Sequence, residues 1–408
     1  MDSVVITGIG VVSPLGSDIS SVWENLIQGV SGIERIDEFN GLPVSIGGKA
    51  RGFDPTKYLS SRDIRHLDRF SQMALIAGMD AIDDAGIDKG IYQEDKIGVL
   101  IGSGIGGLST LETQISLFNS RGPRRVSPLT VPMCIINMAS GEIARRIDAK
   151  GPGMGLATAC ASGGHSIALA LRLIQSGDAD CMITGGVEAC LTPFAASAFA
   201  SMRALSTRND EPKRASCPFD CRRDGFVLSE GGAVLILERE SMAKARGAHI
   251  TATILGAGMS QDAYHMVAPD PEGKGAAIAM GQAIKDAGIS PEQINYINAH
   301  GTSTELNDKV ETLAIKKVFG GYAHRLHVSS TKSMTGHLIG GAASLETAIC
   351  IMALNNGIIP PTINLDNPDP ACDLDYTPKK AIHSDITYCL NNSFGFGGQN
   401  VSLVIGKG

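Results

Sequence analysis

Gly155-Leu156-Ala157-Thr158-Ala159-Cys160-Ala161-Ser162-Gly163-Gly164 is the stretch on which the fold turns. An apolar run of strand length ends near Thr158. Small residues turn the chain, and an apolar helical pattern follows (Ile167, Leu169, Ala170, Leu171, Leu173, Ile174). A strand feeding a helix through a tight turn is the repeating unit of α/β architecture. The turn leaves Cys160 at or just before a helix N-terminus, where free N–H groups and the helix dipole favour a thiolate. Small neighbours leave the sulfur approachable. A buried structural cysteine, the usual fate of a free thiol, fits the local pattern as well.

The same alternation extends outward in both directions. Strand-length apolar runs fall at 3–7, 97–101, 154–158, 181–185, 232–237, 250–256, 294–299, 326–329, 386–391 and 401–405. Amphipathic stretches of helical period fall at 71–85, 133–147, 162–176, 276–287, 308–318 and 341–354. The pattern predicts an α/β fold with buried sheets. Residues 203–224 are polar and read as an extended loop. The chain divides most cleanly near 240–250, giving an N-terminal half 1–245 and a C-terminal half 246–408.

Three more strand ends carry chemistry-bearing residues. Asn295-Tyr296-Ile297-Asn298-Ala299-His300-Gly301-Thr302-Ser303-Thr304 puts His300 at a strand end, where α/β folds place ligands. Ser329-Ser330-Thr331-Lys332-Ser333-Met334-Thr335-Gly336-His337 sets a Lys and a His five residues apart on a small-residue turn. Asn392-Ser393-Phe394-Gly395-Phe396-Gly397-Gly398-Gln399-Asn400 lies between two strands, and its glycines can turn backbone N–H groups toward an oxyanion. A satisfied structural histidine, a polar surface loop and a hairpin with packed Phe rings are the bland alternatives for these three.

Bulk properties narrow the function. The net charge of −7 argues against a general nucleic-acid binder, although a local basic patch could still receive an acidic partner. No apolar run reaches membrane-span length. No signal peptide precedes the run at Val4, so a cytoplasmic location is expected. The nine cysteines are odd in number in a large chain, and free thiols are expected. Cys217 and Cys221 lack a second pair at metal-ligand spacing, so no metal is expected. Gly102-Ser103-Gly104-Ile105-Gly106-Gly107 fits G-x-G-x-x-G after a strand. No ribose-binding acid on a second strand follows it, which argues against a dinucleotide site.

Taken together, the motifs around Cys160, His300 and His337 resemble those of the β-ketoacyl-acyl-carrier-protein synthases, the elongating type II condensing enzymes. The resemblance runs from Ile6-Thr7-Gly8-Ile9-Gly10 to Asn391-Asn392-Ser393-Phe394-Gly395-Phe396-Gly397-Gly398. It includes Leu205-Ser206-Thr207-Arg208-Asn209-Asp210 and Pro360-Pro361-Thr362-Ile363-Asn364-Leu365. It implies the thiolase-like fold, with two related halves in a five-layer α-β-α-β-α stack, normally a homodimer. Cys160 would be the nucleophile, His300 and His337 the donors to an enolate, and the N–H groups of Cys160 and Phe396 the oxyanion hole. Lys332 would keep His337 neutral, with Glu311 as its partner and Asp308 on the same helix face. Thr302 and Thr304 would touch the pantetheine arm, Phe396 would gate the site, and Ile105, Thr130 and Phe199 would line the acyl pocket. The partner is acyl carrier protein; no cofactor and no metal are implied. Arg62, Arg65 and Arg69, spaced for one helix face, with Arg124, Arg125 and Arg203, are candidates for docking it.

Two departures from the family stand out: Gln399 where Thr is usual, and Leu129-Thr130 where many relatives carry aromatics. Chain-length preference is therefore open. The rival readings are a polyketide-type synthase, a non-catalytic chain-length partner, which would lack the nucleophile, and a degradative thiolase, which would want a second cysteine in place of His337.

Overall fold

The computed structural model describes residues 2–88 and 90–408. Ten strands make one continuous sheet: β1 (Val4–Val12), β2 (Ile97–Gly102), β3 (Gly153–Leu156), β4 (Cys181–Glu188), β5 (Gly231–Arg239), β6 (Ala252–Gln261), β7 (Tyr296–Asn298), β8 (His327–Ser329), β9 (Tyr388–Gly395) and β10 (Gln399–Lys407). Each apolar run expected from the sequence is one of these strands. Their spatial order is β8-β7-β9-β10-β6-β1-β5-β4-β2-β3.

That order contains a repeat. In the first half the strands run first, fifth, fourth, second, third; the first two neighbour pairs are antiparallel and the last two parallel. The second half, β6-β10-β9-β7-β8, has the same order and the same senses. The halves join where Val4–Ile6 of β1 pairs with Ala252–Ile254 of β6.

The helices follow the same logic: α1 (Ile19–Ile27), α2 (Arg69–Ala85), α3 (Leu108–Arg121), α4 (Met138–Ile147), α5 (Ser162–Ser176), α6 (Pro193–Ser201), α7 (Lys274–Asp286), α8 (Glu305–Phe319) and α9 (Ala342–Asn356). Helices α2 and α4 cover the outer face of the first five strands, and α7 with α8 the outer face of the second five. Helices α5 and α9 pack on each other and on strands of both halves. This is the five-layer stack. Apart from the edge strand β3 and the end of β6, the strands are sandwiched between helices and buried on both faces, which explains why they read as near-continuous apolar runs rather than alternating ones.

Local chemistry sets the boundaries. Asp68 caps α2 by accepting from Phe70 N, and Gly86 ends it at φ +62. Gly8 and Gly10 let that helix lie directly on β1, since a Cβ there would come within 2.1 Å of Ala81 O and 1.9 Å of Ala77 O. The stretch 133–147 is not one helix: Ile135, at φ −74 and ψ 138, separates the short helix Thr130–Cys134 from α4. Helices α1, α3 and α6 have no counterpart among the expected helices. Among the described residues, no helix is long and apolar enough to cross a membrane.

Candidate active site

The turn that presents Cys160 is held from several sides. Ala159 sits at φ +50, a conformation that non-glycine residues seldom adopt. Ser162 Oγ accepts from Thr158 N at 2.9 Å and donates to Ala159 O at 2.7 Å, closing the loop before α5 starts. Ser393 Oγ, from β9, donates to Cys160 O at 2.9 Å.

His337 occupies the corresponding turn of the second half, between β8 and α9. Ile339 N–H donates to His337 Nδ1 at 3.2 Å, so the lone pair is on Nδ1 and the proton on Nε2. Nε2 then lies 3.1 Å from Cys160 Sγ. His300 leaves the end of β7, its ring 5.4 Å from that of His337 and nearly perpendicular to it. Burial pushes both imidazoles well below the ordinary histidine range; the Lys332 ammonium adds to this for both, and His337 adds to it for His300. Both rings are therefore neutral at pH 7 and act as N–H donors.

Cys160 itself behaves otherwise than its place before a helix implies. Burial pushes its thiol up to about 12, outweighing Lys332 and the N–H groups of Phe396 and Cys160 that favour the thiolate. The free thiol is protonated at rest.

The expected partner of Lys332 is corrected. Its ammonium, 1% exposed, is paired with Glu346 of α9, not with Glu311. Glu311 instead accepts from His300 N at 2.9 Å, Gly301 N at 2.8 Å and Asn392 Nδ2 at 3.2 Å, holding the His300 turn. Burial raises both Glu311 and Glu346 to about 7. Asp308 is buried on the same helix as expected, accepting from Phe219 N at 2.8 Å. Glu346 went unread, although a single acid in the apolar run Ala342-Ala343-Ser344-Leu345-Glu346 is the kind of signal that marks a buried pair.

Cys160, His300 and His337 face a cavity of about 600 Å³. Cys160, His300, His337, Ile105, Phe199, Thr302, Thr304, Phe396 and Arg203 all line it. Thr302 and Thr304 share a hydroxyl hydrogen bond of 2.9 Å. Thr130 does not line the cavity; its hydroxyl donates to Ser127 O at 2.7 Å.

The docking candidates divide. Arg62 and Arg65 are exposed on the short helix Ser61–His66, but Leu67 is extended and Arg69 begins α2, so the three share no helix face. Arg69 makes two bonds to buried Glu230, at 2.8 and 2.6 Å, and lies over Phe53. Arg124 and Arg125 are exposed on the turn Pro123–Arg125, away from the cavity lining. Arg203 is exposed at the cavity itself.

Ligand atoms of Cys160, His300 and His337 lie within 4.8 Å of one another, close enough for a metal ion. The His337 tautomer opposes one, since the nitrogen facing Cys160 carries the proton. The Gly102–Gly107 loop is no phosphate cradle either: its Gly104 and Ile105 N–H groups are taken by the carboxylate of Glu188.

Comparison with known proteins agrees with this geometry. Residues 1–243 match the family described as Beta-ketoacyl synthase, N-terminal domain, and residues 251–366 its C-terminal domain. Proteins named 3-oxoacyl-[acyl-carrier-protein] synthase 2 are 49% identical in Coxiella burnetii and 48% in Synechocystis, each over 99% of this chain and 98% of the relative. A Beta-ketoacyl synthase from Burkholderia phymatum superposes with a TM-score of 0.93 at 35% identity, covering all of both chains. So does a type II PKS ketosynthase solved with its acyl-carrier protein and bound to a hexaketide, with a TM-score of 0.93 at 33% identity over all of both chains. With the family matched across most of its length, the chain belongs to the β-ketoacyl synthases.

Proposed function

We propose that the protein condenses acyl-ACP with malonyl-ACP to 3-oxoacyl-ACP, CO2 and free ACP, elongating chains in fatty-acid synthesis. The observation that carries this is the convergence of Cys160 Sγ, the Nε2–H of His337 at 3.1 Å and the His300 ring on one cavity.

In the first half-reaction the Cys160 sulfur attacks the acyl thioester carbonyl. Its proton leaves with the departing pantetheine thiolate, and the Nε2–H of His337 stabilises the sulfur as charge develops. A hydrogen bond to a charged group is worth roughly 1.5–3 kcal/mol. In the second, malonyl-ACP loses CO2, and its C–C bonding pair becomes an enolate. Neutral His300 and His337 donate N–H bonds to the enolate oxygen without protonating the carbanion. His300 Nδ1 is buried without a partner, and an orphaned lone pair costs less than an orphaned N–H, which puts the proton on Nε2. The carbanion attacks acyl-Cys160; the oxyanion sits between the Cys160 and Phe396 amides until the Cys160 thiolate leaves. One such donor contributes about 3–4 kcal/mol. Thr302 and Thr304 hold the pantetheine arm, while Ile105 and Phe199 face the acyl chain.

Three further statements belong to this reading. The halves divide at 1–245 and 246–408, in the gap between β5 and β6. The active form is a cytoplasmic homodimer. The sheet edge at β3, with Met154 exposed, and the exposed apolar residues Leu111, Ile115 and Phe118 of α3 support a second copy docking on this half. A chain that sediments as a monomer at assay concentration would remove that statement. The 33% match to a type II PKS ketosynthase favours a polyketide role as the second reading.

The test uses purified chain with acyl-ACP and malonyl-ACP. Wild type elongates. Cys160→Ala abolishes elongation, and His300→Ala and His337→Ala each lose malonyl decarboxylation by about 10²–10³-fold or more. Normal decarboxylation in either His variant refutes its assigned role. Wild-type activity confined to a polyketide carrier protein selects the second reading.

A further inference from the structure

Glu188 is the last residue of β4 and is fully buried. Nothing in the condensation uses it, yet it accepts four hydrogen bonds from two different loops. Ser103 Oγ donates to Oε1 at 2.8 Å and Ile105 N at 3.3 Å. Gly104 N donates to Oε2 at 2.7 Å and Gly340 N at 3.2 Å. Ser103 Oγ in turn accepts from Gly106 N at 3.0 Å, so the whole turn after β2 is wound round one carboxylate.

The two loops are the ones that shape the site. The first carries Ile105, a wall of the acyl cavity. The second runs from His337 through Ile339, whose N–H fixes the His337 tautomer, to Gly340, whose N–H is on Glu188. The contact is too close for side chains: a Cβ on Gly340 would lie 2.4 Å from Gly104 N and 2.9 Å from Glu188 Oε2. A buried carboxylate in so tight a junction is costly unless its donors are all in place, so the loops and the acid hold one another.

We propose that Glu188 is a positioning residue that clamps the Ile105 wall of the acyl cavity to the His337 turn, setting both the acyl lengths accepted and the aim of His337 at Cys160. The proposal rests on the condensation reading for its enzymatic consequences, but the geometry of the cavity can be probed without turnover.

Two substitutions separate the two sides of the clamp. Glu188→Gln keeps one oxygen for Gly104 and Gly340 and lets the Ser103 hydroxyl oxygen accept from the new amide; the Ile105 N–H and the Ser103 O–H, both on the turn after β2, lose their acceptor. Glu188→Ala frees both loops. The probe is alkylation of Cys160 by alkyl iodoacetamides of increasing chain length, read by intact mass. Decarboxylation of malonyl-ACP and thermal unfolding are measured on the same preparations.

In Glu188→Gln the long-to-short labelling ratio shifts by about fivefold, the weight of one hydrogen bond, with decarboxylation and melting temperature near wild type. In Glu188→Ala the ratio shifts and decarboxylation falls as well. An unchanged ratio in Glu188→Gln overturns the proposal. So does loss of labelling at every length and of decarboxylation by one common factor in both variants, which is what a merely structural acid gives. Wild type that labels normally at Cys160 but does not elongate refutes the condensation reading and leaves the labelling comparison to decide the clamp.

Discussion

Lys332→Met tests the electrostatics of the site most sharply. The ammonium is 1% exposed and its partner Glu346 2%. Removing one member of a buried pair leaves the other uncompensated, at a cost of about 3–5 kcal/mol. At about 2 °C per kcal/mol for a chain of this size, the melting temperature falls by about 6–10 °C. The loss depends on pH, and its sign follows from Glu346. Its carboxyl is already raised to about 7 by burial against an unfolded value near 4.5, so the fold binds that proton more tightly than the unfolded chain. The stability this provides is fully present below about pH 4.5 and is lost as pH rises through 7. Without Lys332 the carboxyl rises further, so the variant falls short of wild type more at pH 8.5 than at pH 6.

A second variant divides stability from chemistry. Lys332→Met combined with Glu346→Leu replaces the pair with apolar groups, an exchange that is often neutral or stabilising. The double variant regains the melting temperature. It does not regain decarboxylation, because the cation that helps hold His300 and His337 neutral is gone. Urea or thermal unfolding at the two pH values, with malonyl-ACP decarboxylation on the same samples, is the assay. Full recovery of decarboxylation in the double variant refutes a catalytic part for the Lys332 charge. An undiminished melting temperature in the single variant at pH 8.5 refutes the cost assigned to the pair.

Two other expectations concern access to the site. Arg65→Glu with Arg203→Glu raises KM for ACP-borne substrates by about tenfold and leaves short pantetheine thioesters unaffected, since exposed charges steer association with an acidic partner; equal effects on both substrate types exclude the patch. Phe396 is half-buried on a turn whose next two residues, Gly397 and Gly398, have φ +79 and +72. Phe396→Ala lets malonyl-ACP decarboxylate without prior acylation of Cys160 while elongation weakens, and a parallel fall of both activities with melting temperature refutes the gate.

Much of this architecture is legible in the sequence because burial on two faces writes most of the strands as apolar runs. His300 and His337 are legible for a related reason: each sits where such a run stops and small polar residues begin. What the sequence does not show is which buried charges meet. Lys332 lies close in sequence to His337 and far from both Glu311 and Glu346, and only the packing of α9 against the β8 turn selects Glu346. The single helix face expected for Arg62, Arg65 and Arg69 fails differently. Their spacing is helical, but Leu67 breaks the helix between Arg65 and Arg69, and Arg69 is drawn inward by Glu230, 161 residues away. Thr130 fails because it opens the short helix Thr130–Cys134, which lies off the cavity.

The internal repeat is the deepest feature that the sequence conceals, and it explains why the site exists where it does. Cys160 follows the third strand of the first half and His337 the third strand of the second. The turn around Glu188's clamp, after β2, corresponds to the His300 turn, after β7. Helices α5 and α9 start from the two third-strand turns and pack on each other in the central layer, which brings their N-terminal turns together. Cys160 from one half therefore meets His337 from the other without any long excursion of the chain. The repeat is one of topology, so a search for similar residues misses it. The halves share strand order and sense, while the residues at matching turns have diverged, Cys in one and His in the other. In the first half the turn after β2 is bound to Glu188 and serves as a wall. In the second the matching turn is bound to Glu311 and presents His300 to the cavity. The same device, a buried carboxylate gathering the N–H groups of a strand-end turn, supports structure on one side and chemistry on the other.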